Sequence, residues 1–146
     1  MENPYESPKS DIDNREKTNR SIWWKIYFFA ITILSFAGMF ALLFSDNAGL
    51  VDYAEFVSLL IATAGLFGYV FLKRILSARF WTPFLIFYII AGLVYEPLSS
   101  VDMRAGMSDV TYYISLAIGY LLSLPGYYAL YMYGKGDEPP WNASDD

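Results

Sequence analysis

Neither cysteine nor histidine occurs among the 146 residues. Without cysteine there is no disulfide, no thiolate nucleophile and no thiolate metal site. The four-helix membrane enzymes that exchange disulfides are excluded with them. Without histidine, the side chain that titrates near neutrality and the commonest metal ligand are both missing. Acid–base chemistry would have to rest on Asp, Glu, Lys or Tyr. Charge is scarce as well: 17% of the residues are charged, against about a quarter in soluble domains. The few charges cluster, and long stretches have none. The net charge of −5 hides this, because the two signs occupy different segments.

What is abundant is apolar: 55% of the residues are hydrophobic and 19% aromatic. They gather into four continuous runs, over 22–44, 53–72, 80–98 and 110–133. Each has roughly the 20 residues that a helix needs to cross about 30 Å of hydrocarbon. The pattern predicts an all-α fold, a four-helix transmembrane bundle over residues 21–133. Continuous runs, rather than alternating strands of about ten residues, exclude a β-barrel. The first run is longer than the roughly 7–15 residues of a signal-peptide core, and no Ala-x-Ala site follows it. It therefore reads as a retained helix.

Residues 1–20 are polar and carry Pro4 and Pro8. They cannot bury enough apolar surface to offset the entropy of ordering, and read as a disordered tail. The acidic, proline-bearing segment 134–146 reads the same way. Pro83 sits in the first turn of the third helix, where a missing N–H costs little. Pro125 lies inside the fourth and cannot donate to the carbonyl of Leu121, which predicts a kink.

Orientation follows from the basic residues. Lys9, Arg15, Lys17, Arg20 and Lys25 flank the first helix, Lys73, Arg74 and Arg79 lie in the second loop, and Lys135 follows the fourth helix. That places nine of the ten Lys and Arg residues on one side, with Arg104 alone on the other. The positive-inside rule then predicts both termini in the cytoplasm. Trp23, Trp24, Tyr27, Trp81, Tyr131 and Tyr133 fall at the inner interface, and Tyr53, Tyr95, Tyr112 and Tyr113 at the outer one. The inner cations are expected to attract anionic headgroups. Nucleic-acid binding is not indicated, because the basic residues are few and interleaved with acids.

Two stripes of small side chains stand out: Ala54, Ser58, Ala62 and Gly65 on the second helix, and Ser115, Gly119, Ser123 and Gly126 on the fourth. Such stripes let helix backbones approach closely in lipid. They predict that these helices pack inside the bundle. The serines read as packing residues, since neither a histidine nor a nearby lysine is present to activate them. Tyr113, Tyr120, Tyr127 and Tyr131 form a second stripe on the fourth helix, read as aromatic packing or lipid-facing surface rather than a ligand groove. No catalytic, cofactor-binding or metal motif is present.

One constellation carries a functional expectation. Glu55 lies in the first turn of the second helix, about 65° from the centre of its small stripe at 100° per residue. Glu96 lies one turn beyond Gly92 in the third helix, and Arg104 in the loop that follows. Together they predict an outer-mouth site for a cation or ligand. A carboxylate pair there would have at least one pKa raised.

The leader Asn3-Pro4-Tyr5-Glu6-Ser7-Pro8, the segment Trp23-Trp24-Lys25-Ile26-Tyr27 and the hairpin from Phe71-Leu72-Lys73-Arg74 to Phe80-Trp81 resemble those of small bacterial four-helix inner-membrane proteins of unknown function. The resemblance covers most of the chain. It implies a bacterial cytoplasmic membrane and supplies no activity and no site residues. Small multidrug transporters have a similar size and helix count. They need an acidic residue deep in the first helix, and 26–44 has none. The expected function is that of a non-enzymatic accessory or assembly partner, with a membrane-protein partner or a second copy. The alternative is a small oligomeric transporter or channel using the outer carboxylates.

Overall fold

The structure is a computed structural model that describes residues 20–44, 48–99, 108–137 and 140–141, with the backbone alone at 95–99. These residues form four helices: α1 (Ile22–Leu43), α2 (Leu50–Phe71), α3 (Ala78–Ser99) and α4 (Asp109–Lys135). Among the described residues there is no strand. Helices α1, α2 and α4 are each long and apolar enough to cross a membrane. Helix α3 has 22 residues, and apart from Arg79 and Thr82 in its first turns its described side chains, over Ala78–Val94, are almost all apolar. Large apolar side chains such as Phe36, Phe40, Ile86, Leu93 and Ile118 are exposed along these helices. Helices this apolar on their outward faces belong in lipid rather than water. The chain is an all-helical membrane protein, built as a bundle.

Helices α1, α2 and α4 begin where polar caps allow, which for α2 and α4 is earlier than the apolar runs. The Asp52 carboxylate accepts the Gly49 N–H at 2.7 Å, so α2 starts at Leu50 rather than 53. Ser108 Oγ accepts the Thr111 N–H at 3.2 Å and opens α4. Ser21 does the same for α1 through the Trp23 N–H. Such caps contribute about 1 kcal/mol each.

Helix α2 is central. It packs on α1, α3 and α4, and α4 packs on α3 as well. The core is concentrated at one end, called here the sealed end. Trp81, Tyr133, Leu130 and Val70 are fully buried there, beside Leu66, Tyr69, Ala129 and Phe28. They come from the start of α1 and α3 and the end of α2 and α4. Small residues make this packing close. A Cβ added at Gly65 would overlap the Trp81 ring, and one at Gly68 would overlap Tyr133.

The hairpin between α2 and α3 is strained and tied down. Leu72 and Leu76 hold φ of 54° and 58°, a left-handed conformation that costs a branched residue on the order of 1 kcal/mol or more. The Tyr133 hydroxyl accepts the Ile75 N–H at 2.8 Å and donates to the Lys73 carbonyl. The Trp81 indole N–H donates to the Ile75 carbonyl at 2.9 Å. Two buried aromatics thus hold a loop whose own backbone preference is poor.

The segment expected as a tail from 134 departs from that expectation at its start. Gly134 and Lys135 continue α4, and Gly136 caps it at φ 75°. Pro140 is buried, and the Trp141 indole N–H donates to the Tyr133 carbonyl at 2.8 Å. A carbonyl in the last turn of a helix has no intrahelical donor, and Trp141 supplies one. Arg74 Nε donates to the Pro140 carbonyl at 2.8 Å, which fixes this short segment across the hairpin. Residues 1–19 and 142–146 lie outside the described residues.

The weak point expected at Pro125 is where α1 and α4 join. The Tyr27 hydroxyl accepts the Gly126 N–H at 3.0 Å and donates to the Leu122 carbonyl at 2.9 Å. Residues 122 and 126 are ladder partners in a regular helix, so a hydroxyl from α1 is inserted into the ladder of α4. Gly126 permits the approach: a Cβ there would sit 3.0 Å from the Tyr27 oxygen.

Candidate functional site

Two cavities adjoin along the bundle axis. The deeper one, about 100 Å³, lies between Tyr27, Ile31, Ala62, Leu66, Gly126 and Leu130, directly above the sealed core. The other, about 140 Å³, lies toward the open end between α2, α3 and α4. Leu59, Tyr88, Ser123 and Tyr127 line both and form the partition.

The open-end cavity is built by helical spacing. Helix α2 contributes Glu55, Ser58 and Leu59, which are i, i+3 and i+4 and share one face. Helix α3 contributes Tyr88, Ala91 and Gly92 with the same spacing. Helix α4 contributes Tyr120, Ser123 and Tyr127, at i, i+3 and i+7. Ala91 and Gly92 leave the volume that larger residues would fill. Ser58 Oγ donates to the Ala54 carbonyl at 2.9 Å, and Ser123 Oγ to the Gly119 carbonyl at 2.9 Å. Glu55 is at the open end, about 8 Å along the axis from the start of α2 at 1.5 Å per residue.

Of the expected outer-mouth site, Glu55 lines the cavity. Glu96 is in the last turns of α3, with its side chain outside the described residues, and Arg104 lies outside them altogether. Among the described residues, Glu55 is the carboxylate that lines the cavity.

The two small stripes have different fates. On α2, Ala62 and Gly65 are buried against α3 and α4, while Ser58 lines the cavity and Ala54 is at its rim. On α4, Gly126 meets Tyr27 and Ser123 lines both cavities, but Ser115 is exposed and a Cβ at Gly119 would meet nothing within 4 Å. The expectation that Gly119 packs against a neighbouring helix is corrected: the stripe is continuous in sequence, but among the described residues it is occupied at its sealed end alone. The tyrosine stripe also divides. Tyr113 and Tyr131 are exposed, and Tyr127 packs edge-on against Tyr88 at 5.8 Å, as packing or lipid-facing residues would; Tyr120 and Tyr127 also line the cavity. Sequence reasoning passed over Tyr88 and Phe87. Their signal was the i, i+4 step from Tyr88 to Gly92 on the face that carries Glu96.

The cations assemble at the other end. Arg20, Lys25, Lys73, Arg74, Arg79 and Lys135 all sit at helix ends that meet at the sealed end. There the Arg20 guanidinium lies 4.2 Å from the centre of the Tyr69 ring, and Trp24 packs edge-on against the same ring at 5.1 Å. Among the described residues no group of three acidic side chains is placed to hold a metal ion. No family model matches the chain, and neither a curated protein nor a solved structure matches it.

Proposed function

We propose that the chain is a non-enzymatic, four-span protein of a bacterial cytoplasmic membrane, with both termini in the cytoplasm, acting as an accessory or assembly partner of a larger membrane complex. The observation that supports this is the lopsided build of the bundle. The cationic end is packed, capped and hydrogen-bonded as a fixed scaffold. Among the described residues, the other end leaves a cavity and small-residue surface uncovered. A fixed base with an open upper half suits a protein that holds something rather than one that turns it over. The basic end faces the cytoplasm by the positive-inside rule, and its cations favour anionic headgroups there.

Two measurements test this. Reporter fusions after Asn47, Ser77, Gly106 and Lys135 are expected to read out, in, out and in. In native gels of mildly solubilised membranes, the 16.6 kDa chain is expected to migrate in a larger assembly that survives purification. A chain that runs alone, or a periplasmic C-terminal reporter, contradicts the reading. Deleting residues 1–18 should leave insertion intact; loss of the co-purifying assembly alone would assign the leader to partner docking.

Transport is the second reading, and Glu55 at a cavity mouth is the observation that favours it. A single copy presents an obstacle. Trp81, Tyr133, Leu130 and Val70 close the path below the cavities, and passage requires that core to open. Uptake by reconstituted vesicles that disappears in Glu55→Gln would favour transport over the accessory role.

A further inference from the structure

We infer that the open-end cavity binds a small organic ammonium, a primary amine carrying one ring or a short apolar stem. The inference rests on reading the open end as a receiving surface, and three properties of the cavity carry it.

The first is its hydrogen-bonding polarity. A serine hydroxyl has one proton and two acceptor lone pairs. The protons of Ser58 and Ser123 are engaged by the carbonyls of Ala54 and Gly119. Their oxygens therefore offer lone pairs to any occupant. Glu55 already has an interaction of its own, and its two carboxylate oxygens offer about four acceptor sites, room for an ammonium beside it. These groups suit a ligand that donates several N–H bonds. Tyr88, Tyr120 and Tyr127 also line the space, and their hydroxyls can donate or accept, so it is the charge of Glu55 that sets the preference for a cation over a phosphate or carboxylate.

The second is the ring lining. Phe87, Tyr88, Tyr120 and Tyr127 surround the space, and aromatic faces attract cations. The same rings give an apolar body a favourable contact. The third is size. The cavity holds about 140 Å³, and an apolar cavity of roughly 150 Å³ accommodates benzene. One ring fits, with its ammonium directed to Glu55. Ammonium groups of this kind occur on free amines and on the ethanolamine headgroup of aminophospholipids.

The test uses the full chain in nanodiscs of phosphatidylglycerol, whose headgroup has no ammonium. Radiolabelled benzylamine is equilibrated by dialysis, and binding to empty nanodiscs is subtracted. Saturable binding is expected. Benzyl alcohol, the neutral analogue, should bind roughly tenfold or more weakly, and Glu55→Gln should weaken benzylamine by a similar factor. Gly92→Leu keeps the carboxylate and fills the space. A Cβ at that position lies an ordinary 3.8 Å from the Tyr127 hydroxyl, and the rest of the side chain enters the cavity; binding should be lost from a variant whose thermal unfolding in detergent shows it folded. Adding phosphatidylethanolamine separates the two sources: competition points to a lipid headgroup as occupant, and its absence to a free amine. The inference is overturned by absence of saturable binding, by equal binding to Glu55→Gln or Gly92→Leu, or by benzyl alcohol binding as well as the amine. Any of these leaves the accessory role standing, since native-gel migration tests that separately.

Discussion

The two ends of the bundle use the same residue types and arrive at different structures. At the sealed end, small residues face large ones: Gly65 faces Trp81 and Leu130, Gly68 faces Tyr133, and Gly134 faces Thr82 and Trp81. At the open end, small residues gather and the large ones around them, Phe87, Tyr88, Tyr120 and Tyr127, leave a space between them. Ala54, Ser58, Ala91 and Gly92 border one cavity, and among the described residues a Cβ at Gly119 would meet nothing within 4 Å. Small side chains permit close approach of helices, but the approach occurs only where something opposite uses it. Pairing rather than composition decides which half of a stripe becomes core.

The largest effect expected from breaking this comparison is at Trp81. Trp81→Ala removes a side chain with 0% exposure and should cost roughly 3–5 kcal/mol, read as loss of the folded species in detergent thermal unfolding. Phe87→Ala at the open end, 56% exposed, should cost less than about 1 kcal/mol. Equal losses would mean that the two ends are packed alike.

Glycine substitution sharpens the contrast. Gly65→Leu drives a side chain into the Trp81 ring and should destabilise by about 1–3 kcal/mol or more. Gly119→Leu has open space and should stay within about 0.5 kcal/mol of the parent. If Gly119→Leu instead destabilises comparably, that face of α4 is covered by another helix.

Smaller effects separate the two tyrosine links. Tyr133→Phe keeps the buried ring and removes the hydroxyl that satisfies Ile75 and Lys73 across a strained hairpin. The buried groups left behind should cost about 1–3 kcal/mol. Tyr27→Phe removes a hydroxyl whose two partners, the Leu122 carbonyl and Gly126 N–H, can bond each other as the ladder closes. That loss should be under about 1 kcal/mol, with shorter contact between residues 122 and 126 as the structural readout.

The long apolar runs made the four helices legible, because continuous hydrophobicity of that length has few other solutions. The start of α2 was missed by three residues and that of α4 by one, because capping chemistry, here Asp52 and Ser108, extends a helix into polar sequence. The sealed half of the α2 stripe was legible. The open half of the α4 stripe was not, because a stripe states which residues share a face and not what stands opposite. Glu55 was legible as a carboxylate beside a packing face. The cavity needed Gly92, Tyr88 and Tyr127 from two other helices, and no local pattern ties those together. Trp141 was hidden by its setting: acidic, proline-bearing sequence reads as tail, while a single indole N–H that finds a helix-end carbonyl anchors it.

The most direct test is chemical access to single cysteines, since the chain has none of its own. Ser58→Cys places a thiol in the open-end cavity, and Ala129→Cys places one in the sealed core, where Ala129 has 0% exposure. In intact cells treated with a membrane-impermeant thiol reagent, Ser58→Cys is expected to react from outside. Ala129→Cys is expected to stay unmodified until the protein is denatured. Labelling of Ala129→Cys in the native protein, or protection of Ser58→Cys, would contradict a sealed end and an open, outward-facing one.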